Sequence, residues 1–170
     1  MSQRANRMTF WGWMGAPALV CVGATLLFAA PIRVFGLQPP EPIFPMVPAF
    51  AWAVLRPSLA APFVLLLLGL FLDLTWGAPT GLWSISLIVA YGLILLSRGM
   101  MSGQGRAMMW MWYAFACALA MGCAYAATAL EAGVPPSLLA VFWQYLPTVL
   151  LYPFADRLIE RFEDADVRFR

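Results

Sequence analysis

The sequence predicts an all-α, polytopic integral membrane protein: six transmembrane helices, both termini on the cytoplasmic face, and little mass outside the bilayer. Three observations carry this expectation. Of 170 residues, 63% are hydrophobic and 11% charged, with a mean hydropathy of +0.81; soluble domains run nearer half and a quarter, so the chain cannot clothe itself in polar surface. Apolar stretches close to the roughly 20 residues that cross a hydrocarbon core recur along it, separated by turn signals. The basic residues, all of them arginines, segregate between alternate loops as the positive-inside rule requires.

The first stretch, residues 10–31, follows Arg4 and Arg7. It resembles a signal peptide superficially, but its apolar run exceeds the roughly 7–15 residues of a signal core, and it reads as a retained anchor. The second, residues 42–56, is crowded at its entry by Pro39, Pro40, Pro42, Pro45 and Pro48. Proline suits a first helical turn and is costly beyond it, so an extended entry and a short helix over 47–55 are expected, shielded by neighbouring helices; a re-entrant segment is the alternative. The third, residues 58–76, ends at Gly77, Pro79 and Gly81. The fourth, 81–97, precedes Gly99, Gly103 and Gly105. The fifth, 107–130, ends at Glu131, a loop or cap residue, before Gly133, Pro135 and Pro136. The sixth covers 137–155. A single membrane domain thus occupies residues 1–157, with 158–170 a short charged tail. On that tail Leu158, Ile159 and Phe162 share a helical face, either a solvated stub or a docking face.

Six crossings place Arg4, Arg7, Arg56, Arg98, Arg106, Arg157, Arg161, Arg168 and Arg170 inside and Arg33 alone outside. Without the second crossing, Arg98 and Arg106 would lie outside, so the arginines favour six. Most tryptophans fall near predicted helix ends, where amphipathic rings form interfacial belts.

Composition also excludes chemistry. There is no histidine, and Cys21, Cys117 and Cys123 lie in apolar stretches without a CxxC pair, so a zinc, haem or iron–sulfur site is not expected. No catalytic triad, phosphate-binding loop or dinucleotide fingerprint occurs; the expectation is a non-enzymatic protein without cofactor. Nor does the charge pattern suggest nucleic acid.

Intramembrane acids are the default functional candidates, and Asp73 is the one that qualifies. It sits in GLFLDLTWGAPTGLW with Gly69 four before and Gly77 four after. That spacing makes one small-xxx-small stripe, a packing or partner-binding face. The acid either accepts hydrogen bonds from Thr75, Ser84, Ser86 or the amides opening the fourth helix, or binds a cation or proton. Trp52, Arg56 and Pro57 end the second segment as an interfacial anchor, the arginine reaching toward headgroups.

Across GLFLDLTWGAPTGLWSISLIVAY, with Gly69, Asp73, Gly77, Pro79 and Gly81, and in the preceding Trp52, Arg56 and Pro57, the chain resembles the rod shape-determining protein MreD family. The resemblance implies a non-enzymatic inner-membrane scaffold subunit of the bacterial elongation machinery. It would bind MreC and, through it, MreB, RodA and penicillin-binding protein 2. It also implies a fold similar to substrate-binding subunits of energy-coupling-factor vitamin transporters. A vitamin carrier is therefore the alternative function, with Gln38, Asp73, Thr75, Ser84, Thr128 and Gln144 as candidate cavity groups. Under the scaffold reading, the Gly69, Asp73 and Gly77 face and the short second segment form a groove for a partner helix, and a leucine at Gly77 would clash.

Overall fold

A computed structural model describes residues 11–29, 41–55, 58–133 and 136–167, with side chains described except at Trp11 and 161–167. Arg56 and Pro57, and most of the other arginines used in the topology argument, lie outside this set. Among the described residues the protein is all-helical. A π-helical turn, Trp11–Gly15, leads into α1 (Ala16–Ala29); then follow α2 (Met46–Leu55), α3 (Ala60–Trp76), α4 (Leu82–Met101), α5 (Arg106–Ala132), α6 (Leu138–Leu150) and α7 (Tyr152–Val167). Pro17 lacks the N–H that an α-helical bond would use, which accounts for the wide turn just before it.

Among the described residues four stretches are long and apolar enough to cross a membrane: Gly12–Ala29, Leu82–Met101, Arg106–Ala132 and Leu138–Glu160. Met46–Leu55 and Ala60–Trp76 are apolar but shorter. Leu19, Val20, Phe63, Leu67, Ile85, Phe115 and Phe142 are more than half exposed, a surface that lipid can solvate and water cannot.

At the centre lies α2, apolar all round and buried from Met46 to Ala53 except at Val47. α3, α4, α5 and α7 surround it. Trp52 is fully enclosed, and its indole N–H donates to the Trp13 carbonyl at 3.2 Å. Phe50 meets Tyr113 edge-on at 5.3 Å and Tyr152 at 6.4 Å, joining α2 to α5 and α7 through rings.

The entry to α2 shows why its prolines are tolerated. Every backbone N–H from Ile43 to Ala49 has an acceptor: Ile43 donates to Thr148 Oγ1, Phe44 to Pro42 O, Met46 to Ile43 O, Val47 to Phe44 O and Ala49 to Pro45 O. Pro45 and Pro48 carry no N–H to satisfy. An irregular segment built this way leaves no orphan donor, the condition for non-helical backbone inside an apolar body. Thr148 is the long-range member, 105 residues from Ile43; its hydroxyl also donates to Gln144 O at 2.7 Å.

The expected sixth helix is two helices meeting at Leu151. Pro153 has no N–H for the Val149 carbonyl, which instead accepts from Leu151 N–H and the Trp110 indole. The boundary drawn after residue 157 falls inside α7, whose Tyr152, Ala155 and Ile159 are buried. Leu158 packs against the core as well, so this stretch covers α2 and is no free stub. Arg106, opening α5, bridges Asp156 at 2.8 Å and Glu160 at 2.7 Å; the arginine is 70% exposed, so the pair orients α7 more than it stabilises it.

Thr148→Val deprives the buried Ile43 N–H of its acceptor. The expected loss is about 1–3 kcal/mol, read as a lower melting temperature in detergent. Thr148→Ser, which keeps the hydroxyl, stays close to the parent protein.

Candidate functional site: a buried aspartate at the head of α4

α3 ends in a left-handed turn. Gly77 has φ +62°, and both its N–H and that of Ala78 return to the Asp73 carbonyl, closing the helix. Four residues later Gly81 also has positive φ, +98°, and opens α4. The two glycines let a short connection reverse the chain, so α4 starts beside the last turn of α3.

That geometry delivers Asp73 to the exposed donors of a helix start. Its side chain is 1% exposed; Oδ2 accepts from Gly81 N–H at 2.7 Å and Oδ1 from Trp83 N–H at 2.9 Å. The first amides of a helix have no partner within it, and the positive end of the helix dipole favours a carboxylate there. Charge-assisted bonds of this kind contribute roughly 1.5–3 kcal/mol each, against the cost of desolvating the acid. Both oxygens are committed to backbone amides. The hydroxyls that were the alternative partners go elsewhere: Thr75 donates to Phe71 O, Ser84 to Leu66 O and Ser86 to Leu82 O.

Gly69 sets the closeness of the two helices. A Cβ built there would fall inside 3.0 Å of the Ser84 backbone, which leaves hydrogen as the one substituent that fits. Gly77 is different, since a Cβ there meets nothing within 4 Å and its requirement is the positive φ. Of the stripe read as a packing or partner-binding face, Gly69 and Asp73 pack against α4 of the same chain, whereas the space beside Gly77 is open. Within the chain a leucine at Gly77 meets a conformational penalty and no neighbouring atom. The other half of the groove, α2, is enclosed by its own neighbours. Pro79 lies in the turn, where its carbonyl accepts from Leu82 N–H.

Aromatic rings close the corner. Trp76 and Trp83 meet edge-on at 5.3 Å, and the Trp76 indole N–H donates to the Glu41 carboxylate. Glu41 thus ties the entry of α2 to the same corner. Sequence reasoning passed over Glu41 and Thr148, because both act across long separations with no local spacing to mark them. Of the residues named as an anchor, Trp52 is buried in the core. Arg56 and Pro57 fall outside the described residues.

These features define a class: an all-helical protein with several helices able to cross a membrane, organised around a buried carboxylate that caps a helix. No family model, curated protein or solved structure matches the chain.

The two glycines separate on substitution. Gly77→Asn, which tolerates left-handed backbone, should stay within about 1 kcal/mol of the parent. Gly69→Ala should lose about 1–3 kcal/mol or more as the helices part. Asp73→Asn offers one acceptor where two are needed and turns an NH2 toward an N–H. Leaving one buried amide unpaired costs about 1–3 kcal/mol, readable as reduced heat resistance in micelles.

Proposed function

We propose that the chain is a six-crossing inner-membrane scaffold of the bacterial cell-elongation complex, a member of the MreD family that binds MreC. Through MreC it engages MreB, RodA and penicillin-binding protein 2. The observation that carries the reading is where the resemblance falls. Apolar helices resemble one another cheaply, but the shared residues Gly69, Asp73, Gly77, Pro79 and Gly81 build one polar, fold-determining corner.

The α2 segment supports the sixth crossing. It runs from Glu41, beside Trp76 at the Asp73 end, to Trp52, beside Trp13 at the start of α1. In this reading the Asp73 end is periplasmic, and the end holding Arg98, Arg106 and Arg157 is cytoplasmic. What favours the scaffold over the carrier alternative is that Asp73, Thr75, Ser84 and Thr128, four of its six candidate polar groups, each make a hydrogen bond within the protein. Gln38 lies outside the described residues.

The test is affinity capture of the tagged chain from gently solubilised bacterial membranes. MreC is expected in the eluate, with RodA and penicillin-binding protein 2. Because asparagine tolerates the left-handed backbone at Gly77 and meets open space there, Gly77→Asn should leave that capture intact. Recovery of transporter ATPase modules instead, or of no elongation protein, would overturn the assignment.

A further inference from the structure

We infer that α6 is a hinged arm that swings about Leu151 and opens the bundle sideways beside the entry to α2. The inference stands on the geometry of α6 and does not depend on the scaffold reading. Three observations point to it.

The first is how little α6 is enclosed. Thr148 is its one buried residue, while Leu138, Leu139, Phe142, Trp143 and Leu150 are all more than half exposed. Among the described residues its most extensive helix contact is with α5, with a smaller one to α7. Between helices in lipid the hydrophobic drive is largely absent, so a narrow contact holds weakly.

The second is that, beside a narrow apolar face of Val141, Tyr145 and Val149, discrete polar pins hold the helix. Tyr145 OH donates to Ala114 O at 3.1 Å, Tyr113 OH to Thr148 O at 3.1 Å and the Trp110 indole to Val149 O at 3.3 Å; Ile43 N–H donates to Thr148 Oγ1. Each such bond has a modest net worth and is breakable singly.

The third is a change of character at Leu151. Beyond it Tyr152, Ala155 and Ile159 are buried, so α7 is held where α6 is not. Pro147 and Pro153 flank the junction, each removing a helical hydrogen bond, and Leu151 N–H turns back to Thr148 O at 3.2 Å. Weakened backbone thus lies at the border between a loosely and a firmly held helix, which is where a hinge belongs.

Pulsed electron spin resonance on the full chain in nanodiscs tests this. Labels go on Leu139→Cys and Leu74→Cys, both well exposed, in a Cys123→Ser background; Cys21 and Cys117 are buried. Tyr145→Phe removes one pin and should raise the long-distance population about two- to tenfold, the factor that a net hydrogen bond of about 0.5–1.5 kcal/mol sets. Pro153→Ala, which lets the helix run on, should lower it. A reference pair at Leu74→Cys and Met111→Cys, which leaves α6 out, should not move. If Tyr145→Phe fails to fold, Trp110→Phe gives the same readout. An unshifted Leu139–Leu74 distribution in the pin variant, or equal movement of the reference pair, overturns the hinge.

Discussion

The carboxylate of Asp73, sunk between α3 and α4 and bonded to the amides of Gly81 and Trp83, is the constraint around which the rest is arranged. A helix start inside an apolar body leaves amides that lipid cannot satisfy, and here the preceding helix supplies the acceptor. Each oxygen of the acid accepts one backbone amide, which gives Asp73 a structural part in holding α3 to α4. The close approach of α3 and α4 follows, since a cap two bonds deep needs the helices to touch, and Gly69 removes the side chain that would hold them apart. The Trp76 and Trp83 rings and Glu41 then connect this corner to the entry of α2.

From that corner the remaining order can be traced through hydrogen bonds more than through apolar area. Ile43 N–H reaches Thr148, Thr148 O receives Tyr113, and Tyr113 stacks its ring edge against Phe50 of α2. Between helices apolar enough to lie in lipid, close packing and directional bonds hold the arrangement together, and these bonds fix which groups face one another. The same logic explains an uneven structure. α2 to α5 and α7 enclose the core, while α6 lies on α5 along one narrow face of Val141, Tyr145 and Val149.

Local features were legible in the sequence. The prolines before α2 foretold an extended entry and a short helix from 47, and the helix begins at Met46. Asp73 stood out because an acid in an apolar run is costly, and helix-opening amides were among its expected partners. What spacing could not supply was the identity of a neighbour. A stripe at Gly69, Asp73 and Gly77 looks the same whether it receives a partner's helix or the chain's own α4, and only the fold chooses. Gly77, read both as a turn signal and as a member of the stripe, closes α3 with left-handed φ. The break at Leu151 is marked locally by Pro153, yet 137–155 is apolar enough to read as one stretch, and Leu138–Glu160 is long enough for a single crossing. The Ile43–Thr148 bond spans 105 residues and has no local sign.

The central claim is that Asp73 is a helix cap, and nuclear magnetic resonance of the labelled protein in micelles tests it most directly. Amide protons donating to a carboxylate resonate downfield. The account predicts that the Gly81 and Trp83 amides do so in the parent and both move upfield in Asp73→Ala, while Leu82, which donates to Pro79, moves less. If neither resonance responds to loss of the acid, Asp73 caps nothing and the corner is held together some other way.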